Sequence, residues 1–157
     1  MMNLNQSSRT AVAGWLGICC VLVFCMVVLG GVTRLTDSGL SMVRWEPISG
    51  MQPPLTQTAW QAEFEHYRQF PEYQKINAGM SLDAFKRIFY FEYAHRMLGR
   101  LIGLVFAIGF VWLWVRKHLS RPLVPHLIAM FVLGGLQGLL GWYMVKSGLV
   151  EIPHVSQ

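Results

Sequence analysis

The sequence predicts an all-α membrane protein with three transmembrane helices and a helical outer loop. Of its 157 residues, 54% are hydrophobic and only 13% are charged, whereas soluble domains carry about a quarter charged residues. Three stretches are long enough to cross about 30 Å of hydrocarbon as helices. These predicted spans cover residues 11–32, 88–115 and 123–145, and the outer loop covers residues 33–87.

The first predicted span, residues 11–32, is uncharged and longer than the apolar part of a secretory signal, and no A-x-A-like cleavage site follows it. A retained span is therefore favoured over a cleaved leader. The polar stretch before it carries only Arg9 as a charge, which favours a bacterial inner (cytoplasmic) membrane over an organelle. Its three cysteines, Cys19, Cys20 and Cys25, are interpreted as packing residues rather than redox groups.

The short connection between the second and third spans, residues 116–122, contains Arg116, Lys117 and Arg121, whereas the outer loop has equal numbers of basic and acidic residues. The positive-inside rule predicts that residues 116–122 and the N-terminus are cytoplasmic and that residues 33–87 are outside. The net charge of +5 then records membrane orientation, and no motif suggests a nucleic-acid partner.

The outer loop contains predicted helices of its own. Trp60, Phe64 and Tyr67 fall on one helical face, which predicts a short amphipathic helix that lies on the membrane or caps a pocket. Ser81 is a plausible N-cap, and no break separates it from Val115, so one long helix is expected to run into the second span. Residues 36–55 are rich in Gly, Ser and Pro, which indicates an ordered loop.

The helix of the second span begins with residues suited to a flat ligand. One face contains Glu92, His95, Gly99 and Gly103, and its flank contains Arg96 and Arg100. Neutral imidazole binds heme iron, arginines bind carboxylates such as the heme propionates, and a glycine one turn from the histidine leaves room against the backbone. This pattern favours a heme site, with His95 as the iron ligand.

Three structural interpretations compete with that site. The glycine pair Gly99 and Gly103 is a GxxxG pattern, which also serves close helix packing. Glu92 and Arg96 are spaced as an ordinary i,i+4 ion pair, and Arg100 can extend to the membrane interface. Ionisable groups at membrane depth nevertheless favour a function of some kind.

The third span repeats the small-residue pattern without ionisable groups. Gly134, Gln137, Gly138 and Gly141 share one face, which predicts a close-packed helix face on which Gln137 hydrogen-bonds across helices. A pocket-lining role for Gln137 is the alternative.

The other histidines do not complete an axial pair by position. His126 lies at the opposite end of the membrane from His95, about 30 Å away, and His66 and His154 are interpreted as solvated loop residues. The sequence therefore offers one good iron ligand rather than two.

Three blocks in the same order, "GGVTRLTDSGLSMVRWEPISGMQPPL", "EYAHRMLGR" and "LQGLLGWYMVKSGL", resemble the heme A synthase family, in the form found in proteobacteria and mitochondria. The resemblance runs from about Gly30 to the C-terminus. It implies oxidation of the C8 methyl group of heme O to the formyl group of heme A, for cytochrome c oxidase assembly. It also implies two similar four-helix halves, so that the three spans here form an incomplete first half of an eight-helix bundle.

The resemblance implies roles for particular residues. His95 corresponds to the first axial histidine of the N-terminal half, which is regarded as the substrate-heme side, and Glu92 to the acidic residue of the chemistry. Arg96 and Arg100 stay open between propionate ligands and interfacial anchors. In the complete enzyme, the C-terminal half holds a heme b for electron transfer, so the implied cofactors are heme and iron.

The implied partners are membrane lipid, heme O as substrate, heme O synthase, an electron donor and a second copy of the chain. The sequence departs from the family by stopping at "VEIPHVSQ", before a fourth span that carries the second histidine. We therefore expect a fragment that is inactive alone and depends on a missing C-terminal half. The loop cysteine pair of some family branches is also absent.

Two other functions compete with the oxidation of heme O. A b-type heme-binding electron-transfer subunit would use the same histidine, but it has no need for an acid such as Glu92 one turn away. A heme-free assembly protein or transporter segment would use the glycine faces for packing alone, and it would show no heme absorption.

Overall fold

A computed structural model of the chain describes residues 5–44 and 51–149. Over these ranges the chain is all-helical and contains no strand. Its five helices are α1 (Gln6–Leu35), α2 (Gln57–Tyr67), α3 (Pro71–Lys75), α4 (Leu82–Val115) and α5 (Leu123–Gly148). Three of them, α1, α4 and α5, are long and apolar enough to cross a membrane, which confirms the predicted fold class.

The three long helices expose more apolar surface than a water-soluble protein usually does. Phe24 is 69% exposed and Leu133 is 64% exposed, and only 6–11% of each apolar window is buried within the protein. Contiguous apolar surface of this size indicates contact with lipid or with another membrane helix. The chain is therefore a multi-pass membrane protein.

Two of the long helices end in the same kind of cap. At the end of α1 the N–H of Ser38 donates to the carbonyl of Thr33, with N···O 2.9 Å, and Asp37 adopts a left-handed φ of 49°. This is a Schellman motif, in which aspartate tolerates the left-handed position better than most residues do. Lys117 ends α4 in the same way, with a φ of 57°.

The chain divides into two compact units, and the first contains Met1–Val27 and Leu98–Leu139. In its core the rings of Trp15 and Phe106 lie 5.0 Å apart, and the indole N–H of Trp15 donates to the carbonyl of Val105 at 3.2 Å. An indole N–H inside hydrocarbon needs such an acceptor. The packing of Trp15 therefore orders this part of α1 against α4.

The second unit contains Val28–Met97 and Leu140–Gln157. Its core is an aromatic cluster in which α2 packs against the start of α4. Trp60 and Tyr67 are buried, and the ring of Tyr67 stacks on Phe85 at 5.1 Å. The predicted helix is confirmed, with Trp60 and Tyr67 buried against protein, whereas its position on the membrane or over a pocket stays a prediction.

Helix α4 begins as predicted. The Ser81 hydroxyl accepts from the N–H of Ala84 at 3.2 Å, which is an N-cap bond, and the helix continues without a break to Val115. The short helix α3 was not predicted from sequence, although Pro71 occupies its first position, where proline is favoured.

The glycine face of α5 differs from its prediction. A Cβ placed at Gly134, Gly138 or Gly141 would meet nothing within 4 Å. The described residues thus supply no close-packing partner for this face. Of the cysteines, only Cys19 is buried, so the packing interpretation fits Cys19 and not the exposed Cys20 and Cys25.

We predict that Gly109→Ala destabilises the first unit, because a Cβ at Gly109 would overlap the indole ring of Trp15. Overpacking of this kind costs about 1–3 kcal/mol, which exceeds the gain in helix propensity from alanine of about 1 kcal/mol. Thermal unfolding in detergent, followed by tryptophan fluorescence, measures the loss.

Gly103→Ala is the matched control, since it lies on the same helix and its Cβ would meet nothing within 4 Å. Equal melting temperatures for the two variants would contradict the proposed Trp15 packing.

Candidate functional site

Glu92 is a carboxylate buried in the second unit, with only 3% of its surface exposed. Its Oε2 accepts from the hydroxyl of Ser41 at 2.7 Å and from the N–H of Met42 at 2.8 Å. Its Oε1 accepts from Arg96, one helical turn away. All three partners are donors, so they match the ionised form of the acid.

Arg96 joins Glu92 to the loop that follows α1. Its guanidinium donates to the carbonyl of Met42 at 2.8 Å and to that of Arg44 at 3.1 Å, in addition to Glu92. Met42 therefore donates to one member of the ion pair and accepts from the other. This double contact holds residues 41–44 against α4.

The i,i+4 pairing of Glu92 and Arg96, one of the interpretations left open by the sequence, is thus present. Arg100 follows one turn later on the same helix and is partly buried. Whether either arginine also binds a propionate stays a prediction.

The loop reaches Glu92 because of the turn that ends α1. The left-handed Asp37 reverses the chain, and Ser38 and Ser41, which are 0% and 1% exposed, lie inside it. The Ser38 hydroxyl bonds that of Thr36 at 2.6 Å. Sequence reasoning marked this stretch as an ordered loop but did not place it on Glu92.

His95 faces helix α1 at a glycine. A Cβ at Gly30 would lie 3.2 Å from Nε2 of His95, tighter than ordinary contact, whereas one at Gly31 would meet nothing within 4 Å. Gly30 therefore lets the backbone of α1 approach the ring nitrogen with which histidine commonly binds iron more closely than a side chain would allow. The sequence block "GGVTRL" contains this glycine, but only the structure connects it with His95.

Glu72, on α3, is a second buried carboxyl that sequence reasoning missed. It is 1% exposed, and neither of its oxygens has a hydrogen-bond partner in the described part of the chain. Burial, with smaller contributions from the charges of Asp37 and Glu92, raises the pKa of Glu72 to about 7. The signal in the sequence is the apolar "FPEY" context around this acid.

Tyr67 lies in the same neighbourhood and is fully buried. Its hydroxyl accepts from the side-chain amide of Asn77 at 2.8 Å. Burial raises the pKa of Tyr67, and the charges of Glu72 and Glu92 add to the effect. The phenol is therefore neutral at any physiological pH.

The remaining histidines contribute little to this site. His66, interpreted from sequence as solvated, instead has a buried Nδ1 without a partner among the described residues, and its ring packs 5.4 Å from that of Phe70. His126 bonds the carbonyl of Pro122 at 2.9 Å. His154 lies outside the described residues.

The described residues contain no cluster of three or more His, Cys, Asp or Glu side chains with metal-binding geometry. The site therefore combines a carboxylate held by three donors, one imidazole packed beside Gly30, and a second carboxyl that accepts from no donor in the described residues. Such a set can position a flat ligand through the imidazole, stabilise positive charge at Glu92 and exchange protons at Glu72.

Residues 13–157 match the family model described as "Cytochrome oxidase assembly protein". Among similar proteins, the "Heme A synthase" of Nitrosospira multiformis is 60% identical over 146 residues, which cover 93% of this chain and 41% of that protein. The "Heme A synthase" of Rhodospirillum centenum is 56% identical over 152 residues, covering 97% of this chain and 41% of that protein.

The chain thus spans about two fifths of the length of these curated relatives. No solved structure matches it at a significant level.

We predict that Arg96→Gln strongly destabilises the second unit. The Arg96 and Glu92 side chains are only 13% and 4% exposed, and removing one member of such a buried pair costs about 3–5 kcal/mol. The loop carbonyls of Met42 and Arg44 also lose their donor. Detergent melting measures the loss, and faster tryptic cleavage after Arg44 reports release of the loop.

Arg68→Gln provides the control, because Arg68 pairs with Glu65 on an exposed surface, with side chains 46% and 63% exposed. Such pairs contribute little, so its melting and cleavage should match those of the unmodified chain. An effect as large as that of Arg96→Gln would show that burial of the Glu92 pair is unimportant.

Proposed function

This chain belongs to the cytochrome oxidase assembly protein family, and on that premise we propose that it is the heme-substrate part of a heme A synthase. The reaction is oxidation of the C8 methyl group of heme O to the formyl group of heme A. The relatives that carry this name are more than twice as long, so the proposal concerns the share of the reaction that residues 28–97 perform. The observation that carries it is the buried Glu92 carboxylate, one helical turn from His95.

The residues present fit a heme. Gly30 lets α1 pack closely beside Nε2 of His95, where a side chain would intrude, and a partly buried imidazole is a suitable axial ligand. His95 would hold the iron, and a contact of Arg100 with a propionate stays a prediction. A bound heme would supply the redox-active ring system that carries the methyl group to be oxidised.

Glu92 is the group that favours chemistry over electron transfer alone. A methyl carbon that loses electrons develops positive charge, and a fixed carboxylate nearby stabilises that charge without reorganising. Ser41, Met42 and Arg96 hold Glu92 in place by donating to both of its oxygens. In this proposal Arg96 is a positioning residue rather than a propionate ligand.

The conversion from methyl through alcohol to aldehyde takes one oxygen atom from water and releases four electrons and four protons. The electrons need an acceptor outside residues 28–97, for which the family resemblance implies a heme b in the C-terminal half. The protons need acceptor groups near Glu92. The protein's part is thus to orient the ligand, to hold Glu92 in place through the 41–44 loop, and to bind the protons.

The orientation in the membrane follows from charge. Arg116, Lys117 and Arg121 in the connection between α4 and α5 favour the cytoplasmic side of a bacterial inner membrane. The N-terminus is then cytoplasmic, and the Glu92 site lies toward the outer side. Heme O synthase, which makes the substrate, an electron donor and a second copy of the chain are the proposed partners within the same membrane.

We predict that His95→Ala abolishes heme A formation and that Glu92→Gln lowers it by roughly a hundredfold or more. Because Glu92→Gln also breaks the buried pair with Arg96, its conversion per bound heme is compared with that of Arg96→Gln, which breaks the pair but keeps the carboxylate. The assay uses a hybrid in which this chain's residues 13–157 replace the matching part of the Nitrosospira multiformis protein. The hybrid is expressed in a host that makes heme O but no heme A. Chromatography of extracted hemes measures conversion, and the visible spectrum measures retained heme.

Glu65→Gln, an exposed acid on α2, is the control and should convert heme O normally. Normal conversion by both Glu92→Gln and His95→Ala would overturn the assignments. Normal conversion by Glu92→Gln alone would favour the b-type electron carrier for this part of the chain.

We further predict that Gly30→Val weakens heme binding about tenfold or more, because its side chain would occupy the space beside Nε2 of His95. Gly31→Val is the matched control, since a Cβ there meets nothing within 4 Å. Heme titration of the two variants, followed by absorption, measures the difference. Equal affinities would show that the heme does not approach His95 from the side of α1.

A further inference from the structure

Glu72 is an unusual carboxyl for a structural role. It is 1% exposed, and both of its oxygens are buried without a hydrogen-bond partner in the described ranges. An ionised carboxylate is rarely buried in this way, because it loses its hydration and gains no donor in exchange. The acid is therefore either neutral or in exchange with a proton.

The charges that act on Glu72 within the described residues are both negative. They are those of Asp37, from the segment after α1, and Glu92, from α4. Tyr67, from α2, is neutral, and its hydroxyl already accepts from Asn77. The guanidinium of Arg96, on α4, is engaged with Glu92 and the loop carbonyls.

Glu92 and Glu72 thus have opposite environments within one unit. Glu92 accepts from three donors, which favour its ionised form, while Glu72 accepts from none in the described residues. When two carboxyls interact but differ in this way, their pKa values separate, and the proton binds preferentially to the one with fewer donors.

We propose that Glu72 is the proton-exchange group of the Glu92 site, binding protons released near Glu92 and passing them to the outer water. This inference deepens the proposed function and rests on it for the origin of those protons. The oxidation takes its oxygen atom from water, and an electron acceptor outside residues 28–97 would take the electrons. Each proton released would be bound by the ionised Glu72, and loss of that proton to the outer water restores the carboxylate.

The titration range supports this assignment, since burial raises the pKa of Glu72 to about 7 and both of its forms are then populated near neutral pH. The proton is bound in the folded state at pH values where the unfolded chain has lost it. The folded state should therefore lose stability as pH rises from the ordinary glutamate range to about 7, and no further above it.

The first test is independent of any activity and uses this chain in detergent. Infrared spectroscopy should show a protonated carboxyl band at pH 5–6 that disappears as pH rises through about 7. Glu72→Gln, which has the same shape, should remove the band and flatten the pH dependence of melting. Glu65→Gln should retain both. Persistence of the band in Glu72→Gln, or its absence from the unmodified chain, overturns the inference.

The second test is the pH profile of heme A formation in the hybrid protein. The unmodified hybrid should gain activity as pH rises through about 7, because the base form of Glu72 accepts the proton. Glu72→Gln should lower the rate about tenfold to a hundredfold and remove the rise of activity with pH. Glu72→Asp should restore part of the rate and part of the pH dependence.

The two proposals fail in different ways. A hybrid that makes no heme A with Glu72 intact contradicts the proposed function, whereas an active hybrid with an unchanged profile in Glu72→Gln contradicts the role of Glu72. Unchanged heme binding in Glu72→Gln confirms that the variant is folded.

Discussion

The structure of the second unit depends on one buried ion pair. Glu92 and Arg96 lie one turn apart on α4, and neither is stable in an apolar setting without the other and without further hydrogen bonds. The loop after α1 supplies those bonds through Ser41, Met42 and Arg44. The ion pair therefore organises an irregular backbone segment, and the segment in turn shields the ion pair from water.

This arrangement explains why the site has two carboxyls with different properties. The Ser41 hydroxyl and the Met42 N–H of the loop donate to Glu92, and no donor in the described part of the chain reaches Glu72. In the same unit the ring of Tyr67 stacks on Phe85. In the proposed mechanism one acid is thus the fixed charge and the other the site that exchanges a proton, although the two residue types are identical.

The helices were predictable from the length and spacing of their apolar residues. The contacts between segments distant in the sequence were not. Apolar length located α1, α4 and α5, helical spacing located α2, and the i,i+4 rule suggested the pairing of Glu92 and Arg96. Residues 41–44 show no repeating pattern, so their contact with Glu92 could not be predicted from the sequence. Glu72 was not singled out by the sequence analysis, because its burial follows from packing between segments. Pro71 at the first position of α3 is a residue from which the start of this helix could have been predicted.

The position of Arg96 on the same helix as Glu92 has a consequence for biogenesis. A lone carboxylate on a helix that enters hydrocarbon carries a large penalty, but an acid and a base one turn apart enter as a neutral pair. The loop that completes their hydrogen bonds comes from residues about 50 positions earlier, which have already been made when α4 emerges. Insertion of α4 can thus precede assembly of the site, and the loop closes on a helix that is already in place.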